Sequence, residues 1–125
     1  MRFTREHHWL RPEAGLVVVG ITPFAAAQLG AIEAVELPKL GQSAFLGDDV
    51  AVIETSTSIS DISAPITGDV VAVNTAVESN PALVNVDPMG EGWLLKMSVR
   101  NASEIDGMFD ATGYQDLTAN VDLPA

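Results

Sequence analysis

Eight consecutive residues, Glu54-Thr55-Ser56-Thr57-Ser58-Ile59-Ser60-Asp61, bring five hydroxyls together between two carboxylates. Apolar runs on either side make this segment a β-hairpin tip. A displayed loop on a rigid scaffold is a common place for a binding or reactive group, although a hydroxyl-rich turn is equally an ordinary solvated tip. Adjacent His7 and His8 are the only histidines. On an extended segment their side chains point to opposite faces, so they do not share a metal, and no third nitrogen ligand exists. They are expected to form a partly exposed strand pair. The sequence has 17 acids, among them Glu33, Glu36, Asp48, Asp49, Glu54 and Asp61. Two carboxylates ~5–9 Å apart could do glycosidase-type work, but nothing in their spacing marks such a pair, and a solvated acidic surface is expected. There is no G-x-S-x-G elbow and no glycine-rich phosphate loop. No catalytic residue or metal ligand is assigned, and the chain is expected to be a binding or carrier module rather than an enzyme.

Composition narrows the classes further. The chain of 125 residues has no cysteine, which excludes disulfides, thiolate catalysis and cysteine-based metal sites. Its net charge of −11, with only six bases, argues against nucleic acid. No apolar run approaches the ~20 residues of a membrane span. The opening MRFTREHHWL carries no apolar signal core, so a cytoplasmic protein that does not enter a membrane is expected. The length suits one compact domain.

The elements that must position the tip are short and mostly β. Strands are expected at 16–19, 31–37, 50–54, 70–73 and 93–99. The last alternates well, with Leu95, Met97 and Val99 against Lys96 and Ser98. The second alternates only in part, because Glu33 shares a face with Val35 and Leu37. Such spacing points to an all-β sandwich or barrel. A helix is expected over 22–29, with Thr22 as N-cap, Pro23 at the first helical position and Gly30 closing it. A second is expected over 103–112, with Ser103 as cap, Asp106 completing a capping box and Ile105, Met108 and Phe109 docking on the barrel. Residues 118–125 have little periodicity and are expected to fray.

Taken in order, the motifs resemble the H protein of the glycine cleavage system along nearly the whole chain. The matching pieces begin with His7, Trp9 and Leu10, Val19-Gly20-Ile21-Thr22, Leu29-Gly30, Val35-Glu36-Leu37-Pro38 and Gly41. Glu54 to Asp61 fall at the family's lipoyl hairpin, followed by Ala64-Pro65-Ile66-Thr67-Gly68-Asp69-Val70. Val73-Asn74, Pro81-Ala82-Leu83-Val84-Asn85, Pro88, Gly92-Trp93-Leu94-Leu95-Lys96 and Asp110-Ala111-Thr112-Gly113-Tyr114 complete the series. The resemblance implies a mainly β, lipoyl-domain-like barrel-sandwich hybrid over 1–117 as a single domain. It also implies a carrier whose lipoyl-lysine arm takes an aminomethyl group from glycine decarboxylase, presents it to aminomethyltransferase and is reoxidised by dihydrolipoyl dehydrogenase. A lipoate ligase would install the arm. Tethering raises the effective concentration of the dithiolane at each docked enzyme.

One departure stands at the centre of that pattern. The family motif is E-S-V-K-A-x-S-D and this chain has ETSTSISD, so Glu54, Ser60 and Asp61 match while Thr57 takes the place of the lipoyl lysine. Glu54, Thr57, Asp61 and Gly68 are therefore the candidate cofactor positions, and His7 and His8 the candidates for a cleft that receives the arm. His8 stands where the family commonly has an acid, and Ala26-Ala27 where its first helix often has polar residues. The only lysines, Lys39 and Lys96, lie outside the tip and are expected to be solvated. No covalent lipoate is expected. The alternative is a natural, non-lipoylated paralogue that docks on or regulates lipoyl-handling enzymes. A fold-sharing module of unrelated function is a third reading.

Overall fold

The computed structural model describes residues 1–119. Nine strands and five short helices follow one another among the described residues. In order they are β1 (Arg2–Phe3), β2 (His8–Glu13), β3 (Leu16–Ile21), α1 (Pro23–Leu29), β4 (Ile32–Glu36), β5 (Ser43–Ala44) and β6 (Asp49–Thr55). After them come β7 (Ile59–Ser63), β8 (Gly68–Val73), α2 (Thr75–Ser79), α3 (Ala82–Val86), β9 (Leu95–Ser98), α4 (Ser103–Asp106) and α5 (Ala111–Ala119). All strand pairs are antiparallel, in a six-stranded sheet ordered β1-β2-β3-β9-β8-β5 and a three-stranded sheet ordered β4-β6-β7.

The local signals act as their chemistry dictates. Thr22 caps α1, its hydroxyl accepting from the Ala25 N–H at 3.3 Å, and Gly30 closes the helix at φ +79°. The two-residue connection Ala14-Gly15 has both φ values positive, the geometry that matches hairpin twist between β2 and β3. In β4 the pairing slips between Ile32 and Ala34. That extra residue lets Ile32 and Val35, three positions apart, both face the core while Glu33 and Glu36 reach water. The uneven alternation of 31–37 is therefore a bulge.

The second expected helix is corrected. Gly107 ends α4 after four residues, and a separate helix, α5, starts after Asp110, whose carboxylate accepts from the Gly113 N–H at 2.8 Å. Ser103 is not the cap but lies inside α4, with its N–H and hydroxyl both on the Asn101 carboxamide oxygen. Ile105 and Met108 nevertheless pack on the core, and Phe109 bridges Phe3 through reciprocal backbone bonds of 2.8 and 2.9 Å. Thr118 and Ala119, expected in the frayed tail, belong to α5; the remainder of 118–125 lies outside the described residues.

Two apolar clusters hold these layers. The larger includes Val17, Val19, Ile53, Ile66, Leu95 and Met97. The other face of β2 and β3 packs Trp9 and Val18 with Phe3 and the Tyr114 of α5. Trp9 is fully buried, and its indole N–H donates to the Pro88 carbonyl at 2.9 Å. Such packing fixes the base from which β6 and β7 project.

Candidate functional site

Strands β6 and β7 pair from Asp49↔Ser63 to Glu54↔Ile59, so the hairpin tip proper is only Ser56-Thr57-Ser58. Ile53 and Ile62 anchor its inner face in the core. Glu54 and Asp61 sit on the outer face as diagonal neighbours, Asp61 opposite Val52 and Glu54 opposite Ile59, and both are exposed. The turn closes on Thr55. Its N–H donates to the Ser58 carbonyl at 2.9 Å. Its hydroxyl oxygen accepts from the Ser58 N–H at 3.1 Å and the Thr57 N–H at 3.4 Å, and it lies 2.9 Å from the Ser58 hydroxyl. Thr57 is exposed at the apex, and among the described residues its hydroxyl has no hydrogen-bond partner.

Neither lysine reaches this apex. Lys96 on β9 forms a 2.6 Å ion pair with Glu13 and lies 5.2 Å above the Trp93 ring, so it is paired rather than freely solvated. Lys39 is exposed in the turn that follows β4. Gly68 lies at the start of β8, where it pairs with Ala44 of β5. A β-carbon on it would overlap the Ser98 carbonyl oxygen, so this glycine serves close strand packing away from the tip.

The histidines are placed differently from the expected strand pair. His7 occupies a left-handed turn at φ +70° before β2, a region where histidine is enriched among non-glycine residues. Its Nδ1 lies 2.7 Å from the Tyr114 hydroxyl, which also lies 2.6 Å from the Thr22 hydroxyl. Its ring packs against Phe24 with centroids 4.6 Å apart. His8 is buried instead of partly exposed, because the β1–β2 corner folds over it. Thr4 receives the His8 N–H on its hydroxyl oxygen at 3.1 Å, and that same hydroxyl lies 3.0 Å from His8 Nδ1. A threonine that donates to Nδ1 leaves the imidazole proton on Nε2. Burial pushes the His8 pKa down to about 4 against a smaller opposing pull from Glu6, so the ring is neutral near pH 7. Burial also lowers that of His7, again opposed by Glu6.

His8 borders a cleft of about 430 Å³ walled by Phe3, Leu46, Pro65, Met108 and Phe109, with Glu6 and Glu104 at its edge. His7 is not part of that wall. Ser63, where β7 ends, also borders the cleft, so one side of it is continuous with the hairpin that carries Thr57. The other residues of the cleft wall leave no mark in the sequence, because Phe109 and Phe3 meet only through long-range pairing. Among the described residues no cluster of three or more His, Cys, Asp or Glu side chains is arranged to hold a metal ion, and no helix is long and apolar enough to cross a membrane.

Comparison with known proteins agrees along nearly the full length. The family model described as "Glycine cleavage H-protein" matches residues 1–121. The glycine cleavage system H protein of Symbiobacterium thermophilum is 42% identical over 118 residues, covering 94% of this chain and 92% of the relative. Its counterpart in Bacteroides fragilis is 45% identical over 115 residues, covering 92% and 91%. A crystal structure of a glycine cleavage system H protein from Mycobacterium marinum superposes with a TM-score of 0.84 at 32% identity, covering 94% of both chains. The two antiparallel sheets with short helices are thus the barrel-sandwich architecture of the lipoyl-carrier type. The family is one of carriers without a catalytic site of their own. On sequence and fold together, this chain belongs to the glycine cleavage H-protein family.

Proposed function

We propose that the chain is an H-protein-type carrier scaffold, of the kind that shuttles an aminomethyl group between glycine decarboxylase and aminomethyltransferase, and that it takes no lipoyl group as it stands. The observation that carries this reading is Thr57 exposed at the apex of β6–β7, where the family motif has its lipoyl lysine. Amide attachment needs an amine, and the apex offers only hydroxyls. The Thr57 hydroxyl has no base hydrogen-bonded to it among the described residues, and an unactivated hydroxyl is a weak nucleophile. The residues present therefore do not fit a covalent lipoamide, and no step of a lipoyl cycle is assigned to them.

The rest of the site supports the family role. Glu54 and Asp61 flank the apex in the positions where a lipoate ligase would read the motif. Gly68 allows the close packing of β8 on Ser98 of β9 in the other sheet. His8 is the arm-cleft residue the geometry favours, because it borders the cleft, whereas His7 braces the corner from behind. The partner set is glycine decarboxylase, aminomethyltransferase, dihydrolipoyl dehydrogenase and lipoate ligase, in a cytoplasmic setting.

A second reading has its own support. The tip departs from the motif at Thr55, Ser56, Thr57 and Ser58 together, and a neutral His8 stands where the family commonly carries an acid. These changes favour a natural, non-lipoylated paralogue that docks on lipoyl-handling enzymes or regulates them. A glycine cleavage reaction reconstituted on a lipoylated H protein separates the readings. The docking paralogue inhibits it competitively, whereas a scaffold that merely lacks its lysine supports the reaction once Thr57→Lys has been lipoylated. A chain that neither inhibits nor, as Thr57→Lys, supports turnover contradicts both.

A further inference from the structure

We propose that the turn over residues 45–48, with its two uncovered apolar side chains, is a docking knob for a protein partner that presents an apolar socket rimmed by lysine or arginine. This assignment rests on the carrier-family reading and names the surface through which such a partner binds.

Phe45 and Leu46 are 67% and 56% exposed, although turns of this kind ordinarily carry polar residues. They are exposed by construction, because the turn is fixed at nearly every backbone position. The Phe45 N–H donates to the Asp48 carboxylate and the Asp48 N–H returns to the Phe45 carbonyl, each at 2.9 Å. The Leu46 N–H donates to the Thr67 hydroxyl at 3.0 Å, and the Gly47 N–H to the Ala64 carbonyl at 2.9 Å. Gly47 supplies the φ of +92° that the turn requires. A side chain held out on so rigid a frame has little left to lose on ordering, which is the condition under which apolar contact yields affinity. Leu40, in the turn before β5, and Val71 on the neighbouring β8 are exposed as well.

Charge selects the kind of partner. Asp48 and Asp49 follow the two apolar residues after Gly47, and Arg100, which reaches Ser43 of β5, is already paired with Asp69 at 2.7 Å. A second copy of this chain would bring another net −11 against the first, so self-association through this edge is opposed. A basic rim around an apolar socket complements both features.

The test titrates the intact chain against glycine decarboxylase, aminomethyltransferase and dihydrolipoyl dehydrogenase of the same organism, at low and high salt. The wild type is expected to bind at least one of them and to weaken as salt rises. Phe45→Ser and the double variant Phe45→Ser/Leu46→Ser are expected to lose tenfold or more with an unchanged melting temperature. Val86→Ser, which removes an exposed apolar side chain elsewhere, is expected to keep wild-type affinity. Undiminished binding by the knob variants, or an equal loss in Val86→Ser, overturns this assignment and leaves the carrier reading standing. A wild type that binds none of the three overturns the partner set of that reading and the knob with it.

Discussion

Gly20 on β3 lies directly across from Trp9 on β2, and a β-carbon on Gly20 would stand 2.7 Å from the indole ring. The indole can lie flat over the strand only because that carbon is missing. Trp9 cannot retreat, since it is fully buried and bonded to the Pro88 carbonyl. Gly20→Ala is therefore expected to destabilise the fold by about 1–3 kcal/mol, the usual cost of overpacking a dense core. Urea denaturation of the variant measures it, and an unchanged midpoint would contradict the packing described.

Ala14 gives the opposite expectation. It sits at φ +50° beside Gly15 in a two-residue hairpin connection that favours asparagine or glycine. Ala14→Asn keeps the β-carbon but adds a short carboxamide that hydrogen-bonds the local backbone in left-handed geometry, and is expected to stabilise the protein by roughly 0.5–1 kcal/mol, a fraction of the usual cost of that geometry in other residues. A thermal melt of the variant, rising by a few degrees, checks it.

The hydroxyl of Tyr114 links the N-terminal corner, α1 and α5 through His7 and Thr22 at 2.7 and 2.6 Å. Tyr114→Phe keeps the stacking on Phe3, whose centroid is 4.8 Å away, but leaves two polar partners facing an apolar edge. A loss of about 1–3 kcal/mol follows from stranding such groups. Hydrogen exchange is expected to rise first in α5, which this hydroxyl ties to the N-terminal corner and to α1.

His8 makes stability depend on pH in a defined direction. Its pKa falls from 6.5 in the unfolded chain to about 4 in the fold, so the folded state disfavours the proton. Its contribution is complete above pH 6.5 and is lost as pH falls toward 4. From pH 7 to pH 5 the loss amounts to about 2 kcal/mol by proton linkage. The lowered pKa of His7 acts in the same direction. Urea midpoints at the two pH values measure the effect, and His8→Gln is expected to remove most of the difference.

How much of this was legible beforehand varied with the physics of each segment. Thr22-Pro23 and Gly30 announced α1 because caps and backbone geometry are local. The alternation of Leu95, Lys96, Met97 and Ser98 announced β9 because one face is buried and the other wet. The apex at Thr57 followed from the hydroxyl run between apolar strands. Helices α2 and α3 were missed, since five residues hold barely more than one turn and show no period. Strands β1 and β5 are two residues each and exist through their partners. The burial of His8 depends on Thr4 folding back over it, and the Phe3–Phe109 junction of the cleft joins residues more than a hundred positions apart. Contacts of that kind leave no mark in a local pattern.

The central claim concerns attachment at the apex. Intact mass after incubation with a lipoate ligase, ATP and lipoate tests it most directly. The wild-type chain is expected to keep its mass, while Thr57→Lys, which places an amine on an exposed position of an unchanged hairpin, is expected to gain one lipoyl group. A lipoyl mass gain on the wild type, whether at Thr57, Lys39 or Lys96, would contradict the account.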